Sequence, residues 1–223
     1  MARDAWLDEA ILPALPRWLN PIVAALQTIT PEDLSAFLPP PEGGRPGAVL
    51  LLFGDGDGDG GHDLLIIERA HQMRSHAGQP AFPGGAIDSA DATPIAAALR
   101  EAQEETGVDP RGVTVFGTLP DLWLPPSGFV VTPVLGWWST PSEVAVADPA
   151  EVASVHRVPI DVLLDPAHRV EVRHPIGYVG PGFEVNGLLI WGFTAGIISR
   201  LFDAAGWTIP WQPARQVDVS PYL

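Results

Sequence analysis

FPGGAIDSADATPIAAALREAQEETGV, the stretch from Phe82 to Val108, decides how this chain folds. Near its end Glu101, Glu104 and Glu105 are spaced at i, i+3 and i+4, so a helix here places three carboxylates on one face. Like charges this close destabilise a helix unless something positive compensates them. Clustered carboxylate oxygens suit Mg²⁺ or Mn²⁺, although a solvated acidic face is the alternative.

The residues around these acids predict how the helix begins and packs. Thr93 is expected to cap its N-terminus, with Pro94 at the first helical position. Gly84 and Gly85 lie just before it and permit a backbone bend that a Cβ would resist. Three apolar residues form a separate stripe for the core: Ile95, Leu99 and Ala102. A glycine bend feeding an acidic helix can present a backbone carbonyl and side-chain oxygens to one metal ion.

The segment from Arg100 to Val108, REAQEETGV, resembles the Nudix box, the signature of hydrolases that cut nucleoside diphosphates linked to another moiety. The standard box has the form GX5EX7REUXEEXGU, where U is aliphatic. Here alanine stands at the first U position, and the spacing from Gly85 to Arg100 is one residue longer than in the standard box. Counted forward from Gly85, the supporting acidic position is Asp91; counted back from Arg100, it is Ala92.

A second motif lies directly upstream, where Leu65 to Gly85 reads LIIERAHQMRSHAGQPAFPGG. It resembles the additional signature of Nudix enzymes that hydrolyse coenzyme A, LLTxR[SA]xxxRxxxGxxxFPGG. Arg69 and Arg74 are in register with the two arginines of that signature. The resemblance extends from about Ala48 to Phe202 and implies a Nudix-like α/β/α sandwich with a mixed central sheet.

The resemblance also implies roles for individual residues. The metal ligands are expected to be Glu101, Glu104, Glu105 and the carbonyl near Gly85. Structural support is expected from Arg100 and Asp91. The catalytic general base is expected to be Glu104 or Glu151, the latter from a later loop. Substrate contacts are expected from Arg69, Arg74 and Ser127, with the arginines binding either the diphosphate or a 3′-phosphate.

The implied reaction is divalent-metal-dependent hydrolysis of the pyrophosphate bond of coenzyme A or acyl-coenzyme A. Its products would be adenosine 3′,5′-bisphosphate and 4′-phosphopantetheine or its acyl form. The cofactor, Mg²⁺ or Mn²⁺, would neutralise phosphate oxygens and lower the pKa of a bound water. Two alternatives stay open: a Nudix pyrophosphatase for ADP-ribose, NADH or nucleoside triphosphates, and a non-catalytic Nudix-like ligand-binding module.

Composition argues against nucleic acid as a partner, whereas the resemblance implies a small-molecule nucleotide of the coenzyme A type as the substrate. The chain has 223 residues and a net charge of −15, which argues against nucleic-acid binding because that requires a basic surface. All 12 basic residues are arginine, the side chain best suited to bidentate phosphate contacts. We expect no membrane span and a cytoplasmic location, since we find neither a long apolar run nor the pattern of a secretory leader in the sequence. The expected oligomeric state is a monomer or a homodimer.

The remaining sequence predicts an N-terminal extension, residues 1–46, with short helices and a Pro/Gly linker, followed by a Nudix domain, residues 47–223. Further strands are predicted at 48–53, 64–68, 113–119, 129–138, 153–158, 170–174 and 183–185. A helical turn is predicted at 160–164 and a long helix at 188–205. The Asp/Gly loop 54–61 is expected to join the first two strands as a polar turn. This interpretation is favoured over an EF-hand-like calcium loop, the alternative, because Ile66 stands where the closing Glu would be.

Overall fold

The computed structural model describes residues 3–56, 61–72, 77–125, 127–175, 177–212 and 215–220. The strands in these residues are β1 Trp6–Leu7, β2 Arg45–Asp55, β3 His62–Arg69, β4 Pro80–Ala81, β5 Gly84–Ala86, β6 Val113–Thr118, β7 Leu122–Leu124, β8 Phe129–Trp138, β9 Val152–Pro159, β10 Arg169–Arg173, β11 Val179–Val185, β12 Leu188–Ile190 and β13 Gln216–Asp218. The α-helices are α1 Asn20–Leu26, α2 Pro31–Leu34, α3 Pro94–Thr106, α4 Ile160–Leu164 and α5 Gly192–Ala204. Short 3-10 helices lie at Glu9–Ala14, Arg17–Leu19, Pro110–Gly112 and Pro166–His168. None of these helices has the length and apolar character that a membrane crossing requires.

The larger sheet is mixed and carries the site. Its strand order is β1-β6-β8-β2-β3-β4, and β5, β7 and β9 pair with β2, β8 and β3, respectively. The central strands β2 and β8 run parallel from the Arg45–Phe129 pair to the Phe53–Trp137 pair, while their other neighbours run antiparallel. Both strands are mainly apolar, as expected for strands covered on both faces. A smaller sheet, in the order β12-β11-β10-β13, lies further along the chain.

Helices cover both faces of the larger sheet. Because successive strand residues point to opposite faces, β2 contributes to two cores. On one face Leu50 and Leu52 pack with Ala98 and Ala102 of α3. On the other face the core holds residues of β2, α1 and α5: Leu51, Phe53, Ile22, Leu26, Ile198, Leu201 and Phe202. The predicted fold class, an α/β/α sandwich with a mixed central sheet, is therefore confirmed.

The N-terminal segment is part of this core. Its predicted short helical pieces are present, and β1 adds to the sheet through the pairing of Trp6 with Thr118. Asp121, which is buried, accepts a hydrogen bond from the Arg3 backbone N–H at 2.9 Å and another from the Thr132 hydroxyl at 2.6 Å. The segment thus covers one face of the sheet, and the domain division at residue 46 stays a prediction.

One predicted helix is wrong at its start. The prediction placed a helix over 188–205, whereas Leu188–Ile190 is the strand β12 and α5 begins at Gly192. Asn186 and Gly187 have φ angles of 52° and 85°, so they turn the chain back and β12 pairs with β11. An Asn-Gly pair between apolar runs favours this tight turn because both of its central residues require positive φ. The other hairpin, between β2 and β3, is confirmed, although residues 57–60 of its turn lie outside the described residues.

Candidate active site

The helix α3 forms where the sequence predicts it. The Thr93 hydroxyl accepts a hydrogen bond from the Ala96 N–H at 3.1 Å, and Pro94 is the first helical residue. The helix ends at Gly107, whose φ of 75° is the left-handed conformation that glycine adopts without a Cβ penalty. These two caps fix the position of the carboxylates between them.

The two glycines before α3 let the backbone lie against its acidic face. Gly84 has a φ of 156°, and a Cβ at this residue would lie 2.3 Å from the Ala48 carbonyl oxygen. The Gly84 N–H donates a hydrogen bond to Glu105 Oε2 at 2.9 Å. A Cβ at Gly85 would lie 2.6 Å from the carboxylate of Glu101. Any other residue at either position would push the bend away from the acids.

Three glutamates converge at this bend. Among the described residues, Glu101, Glu105 and Glu151 each offer a carboxylate oxygen, and these oxygens lie within 4.8 Å of one another. We call these three residues the acid cluster. The Glu151 carbonyl accepts a hydrogen bond from the Ala70 N–H at 2.8 Å, and the Ala147 N–H donates to the Glu105 carbonyl at 3.1 Å. These two backbone bonds hold the loop before β9 against α3 and the end of β3.

Glu105 is the buried member of the acid cluster. Its residue is 1% exposed, and among the described residues its Oε1 has no hydrogen-bond partner. The pKa of this carboxyl is raised to about 8, and burial is the largest cause. The charges of the other two glutamates add to the rise, whereas the Gly84 N–H and the charge of Arg69 oppose it. Burying a charge without a partner is costly, so the fold holds Glu105 in a position that favours a bound cation.

Arg69 brings the upstream motif to the acid cluster. It is the last residue of β3, and its charge lowers the pKa of Glu105. Its Nε is buried and has no partner among the residues that the structure describes. The turn that follows is closed by a hydrogen bond from the Gly78 N–H to the Arg69 carbonyl at 3.0 Å, with Gly78 at a φ of 66°. Arg74 of the same motif lies outside the described residues.

Arg100 organises the other polar side of α3. Its Nε and Nη2 donate to the two carboxylate oxygens of Asp91 at 3.1 and 2.8 Å. Its Nη1 donates to Glu101 Oε1 and to Glu104 Oε2, each at 2.9 Å, and its Nη2 also reaches the Ala86 carbonyl oxygen at 3.2 Å. These carboxylates raise the pKa of Arg100, with Asp91 as the largest cause, and the bond from Arg100 lowers the pKa of Asp91. Asp91 therefore occupies the position opposite Arg100, and the exposed Ala92 does not.

Two of the remaining predicted site residues bond to groups outside the acid cluster. The carboxylate of Glu104 is 58% exposed, is ion-paired with Arg100 and lies outside the group of three converging acids. The Ser127 hydroxyl donates to the Leu124 carbonyl at 3.2 Å within the turn between β7 and β8. Sequence reasoning missed the Gly84 N–H as a partner of Glu105. The paired glycines were the available signal, since a bare backbone can approach a carboxylate closely.

The acid cluster fits a divalent ion. It offers oxygen ligands, which Mg²⁺ and Mn²⁺ prefer, and among the described residues one carboxylate oxygen of Glu105 is buried without a hydrogen-bond partner. Burial also raises the pKa of Glu101, an effect that its bond from Arg100 partly opposes. A cation would compensate both carboxylates together. A divalent ion at such a cluster could activate water for hydrolysis of a phosphate anhydride, so the site is suited to a metal-dependent hydrolase.

Comparisons with known proteins identify the family within this class. The NUDIX domain model matches residues 44–176. A Citrobacter koseri protein called uncharacterized Nudix hydrolase NudL is 44% identical over 145 residues, which cover 62% of this chain and 72% of that protein. A Cronobacter sakazakii protein of the same name is 44% identical over 146 residues, with the same coverage. The chain belongs to the Nudix domain family, and it is a pyrophosphohydrolase that acts on nucleoside diphosphate derivatives.

A solved structure is also similar to this chain. The crystal structure of RenU, a Nudix hydrolase from M. smegmatis, is 22% identical and covers 73% of this chain and 86% of its own, with a TM-score of 0.47. Likeness of this degree adds nothing on substrate. Enzymes of the Nudix family use divalent metal ions and act on small-molecule nucleotides, in keeping with the oxygen ligands of the acid cluster.

Proposed function

We propose that this enzyme hydrolyses the pyrophosphate bond of coenzyme A or acyl-coenzyme A, giving adenosine 3′,5′-bisphosphate and 4′-phosphopantetheine or its acyl form. The observation that carries the proposal is the position of Arg69, an arginine of the coenzyme A motif: it pairs in the sheet with Val152, the residue after Glu151 of the acid cluster, and its charge lowers the pKa of Glu105. The motif thereby contributes a cation at the point where a diphosphate has to bind.

We assign the metal-binding role to Glu101 and Glu105 with the carbonyl near Gly85, joined by Glu151 of the acid cluster. A divalent ion bound there would neutralise phosphate oxygens and lower the pKa of a water molecule. Gly84 orients Glu105 through its N–H, and Arg100 orients Glu101 through Nη1.

The substrate-facing roles are also proposals. Arg69 binds the diphosphate, since it pairs in the sheet with Val152, next to Glu151, and its charge acts on Glu105. Arg74 and Ser127 remain proposed substrate contacts. Glu104 and Glu151 remain the two candidates for the general base that accepts a proton from the attacking water. The cytoplasmic location and the monomeric or homodimeric state stay predictions.

The test is a product assay with three substrates. Purified enzyme is incubated with coenzyme A, ADP-ribose or NADH, with Mg²⁺, Mn²⁺ or EDTA, and the products are identified by mass spectrometry. We expect adenosine 3′,5′-bisphosphate and 4′-phosphopantetheine from coenzyme A, only with a metal ion, and slower turnover of the other two. Faster turnover of ADP-ribose or NADH than of coenzyme A would contradict the proposal.

A matched variant locates the specificity in the motif. Arg69→Ala should lower kcat/KM for coenzyme A strongly, whereas Arg111→Ala should leave it unchanged. Arg111 is a suitable control because it is exposed and forms its ion pair with Asp109, at 2.7 Å, within its own turn. Equal activity of the two variants would remove Arg69 from the site.

A further inference from the structure

An arginine and a phenylalanine form a cation–π pair at the end of the larger sheet. Arg45 begins β2, Phe129 begins β8, and the two residues are partners in the parallel register. The guanidinium carbon of Arg45 lies 4.5 Å from the centre of the Phe129 ring. Arg45 is exposed and Phe129 is half-buried, so the ring supports a guanidinium that faces solvent. We call this pair the Arg45–Phe129 platform.

The platform borders the acid cluster. A Cβ at Gly47, two residues after Arg45, would lie 2.9 Å from Cδ1 of Phe129 and 3.1 Å from the carbonyl oxygen of Gly85. The Phe129 ring and the Gly85 carbonyl therefore both lie close to Gly47, where a side chain would clash with them. Gly85 in turn packs directly against the carboxylate of Glu101. The sheet end that carries the platform is thus the end where the diphosphate is proposed to bind.

The charge of Arg45 is not used within the fold. Two other exposed arginines are ion-paired with carboxylates: Arg111 with Asp109, and Arg173 with Glu171. Among the described residues Arg45 has no carboxylate within ion-pair distance, although the chain carries a net charge of −15. A guanidinium that has no acidic partner among the described residues and lies over an aromatic ring keeps its N–H donors available for an oxyanion.

We propose that Arg45 binds the 3′-phosphate of the adenosine half of the substrate, with Phe129 holding the guanidinium in place. This inference rests on the proposed coenzyme A specificity. It assigns a different phosphate group of the substrate to each of two arginines. Arg69, whose charge acts on Glu105, serves the diphosphate, whereas Arg45 lies across Gly47 from Gly85 and serves a second phosphate. Arg45 is a specificity residue, because a substrate without the 3′-phosphate gains nothing from it.

The test compares coenzyme A with dephospho-coenzyme A, which lacks only the 3′-phosphate. The wild type should favour coenzyme A by about tenfold in kcat/KM, as expected for one charge-assisted contact. Arg45→Ala should reduce this preference to within about twofold, mainly by raising KM for coenzyme A. Arg45→Lys keeps the charge but loses the planar donors, so it should retain part of the preference.

Arg17→Ala is the matched control for loss of one positive charge. Arg17 is exposed, and the neighbouring Trp18 stacks on His62 at a ring separation of 3.8 Å, at the opposite end of β3 from Arg69. This variant should keep the full preference for coenzyme A. An unchanged preference in Arg45→Ala, an equal loss on both substrates, or a wild type without preference would overturn the inference.

Equilibrium binding separates this inference from the proposed reaction. Calorimetric titration with adenosine 3′,5′-bisphosphate and with AMP measures recognition of the 3′-phosphate without any turnover. The wild type should bind the bisphosphate about tenfold more tightly than AMP, and Arg45→Ala should bind both equally. If the enzyme fails to cleave coenzyme A but keeps this difference, the proposed function fails and the platform stands; loss of the difference in Arg17→Ala and not in Arg45→Ala would overturn it.

Discussion

The two polar sides of α3 differ in how completely the fold satisfies them. On one side Arg100 makes five hydrogen bonds, to Asp91, Glu101, Glu104 and the Ala86 carbonyl. On the other side Glu105 is buried, accepts one hydrogen bond from Gly84, and has a second oxygen without a partner among the described residues.

This difference distinguishes a structural network around Arg100 from the acid cluster, which we expect to bind a metal ion. A guanidinium has five N–H donors, so the network around Arg100 is complete and needs no ligand. The acid cluster has more negative charge than its surroundings balance, because Glu101 and Glu151 both raise the pKa of Glu105. Strongly perturbed groups of this kind concentrate at functional sites. Glu101 belongs to both sides, which links the stable network to the reactive one.

The largest effect is expected from Glu105→Gln, which removes the buried carboxylate of the acid cluster. The amide can still accept the Gly84 N–H, but it removes the charge that a divalent ion requires. We expect kcat to fall by at least about 10³-fold, corresponding to the loss of several kcal/mol of transition-state stabilisation. Steady-state kinetics with circular dichroism measures activity and fold together. Glu32→Gln, at an exposed acid of α2, is the control, and turnover of Glu105→Gln at the wild-type rate would refute the assignment.

The second prediction concerns stability without metal. The pKa of Glu105 is about 8 in the folded protein, against 4.5 for an unperturbed carboxyl. Below about pH 4.5 the carboxyl is protonated in both states and the shift has no effect on stability. As pH rises towards 8 the unfolded state ionises first, so the folded state loses stability, and above 8 this loss is complete.

Urea unfolding in EDTA at pH 5.5 and pH 9 measures this loss. Between these conditions the free energy of unfolding of the wild type should fall relative to that of Glu105→Gln by an amount on the order of several kcal/mol. Replacing EDTA by Mg²⁺ at pH 9 should recover this stability in the wild type only. Parallel pH profiles for both proteins would show that Glu105 ionises normally in the fold.

An intermediate effect is expected from Arg100→Lys, which disrupts the hydrogen-bond network around Arg100. Lysine keeps the charge but cannot reproduce the bidentate bond to Asp91 together with the bonds to Glu101 and Glu104. Because Arg100 acts by positioning Glu101, kcat should fall by about 10- to 100-fold and the affinity for Mn²⁺ should weaken in parallel. Calorimetry of Mn²⁺ binding measures the second effect. Reduced turnover with unchanged Mn²⁺ affinity would mean that Arg100 contacts substrate instead.

The smallest effect is expected from Glu104→Gln, compared with Glu151→Gln. Both glutamates are exposed, but Glu151 belongs to the acid cluster and Glu104 is ion-paired with Arg100. We expect less than about a tenfold loss of kcat for Glu104→Gln and about a 100-fold loss for Glu151→Gln. The pH–rate profiles of the two variants identify which one loses the acidic limb, where protonation of the general base lowers the rate. The reverse order would assign the general base to Glu104.

Local signals account for what the sequence predicted correctly. The cap at Thr93, the strand β8 and the helical turn α4 each depend on neighbouring residues, and all three lie where they were expected. The Asn186–Gly187 turn was also a local signal, but the apolar run after it was assigned to the helix. The two-residue strands could not be predicted, because pairing with a distant strand is their main determinant.

The site, like the fold, combines features that the local sequence predicts with contacts between distant segments that it does not predict. The spacing of the glutamates on α3 was visible in the sequence, whereas the arrival of Glu151 depends on a loop held by Ala70 and by the Glu105 carbonyl. The Arg45–Phe129 platform likewise depends on the register between two parallel strands. Such contacts between distant segments have no periodicity, so a single sequence does not reveal them.

Diffraction from crystals grown with Mn²⁺, collected at the manganese absorption edge, tests the central claim most directly. The claim predicts one or more anomalous peaks bounded by the carboxylates of Glu101, Glu105 and Glu151, and their loss in crystals of Glu105→Gln. Peaks confined to other acidic surfaces, or an unchanged peak in that variant, would contradict it.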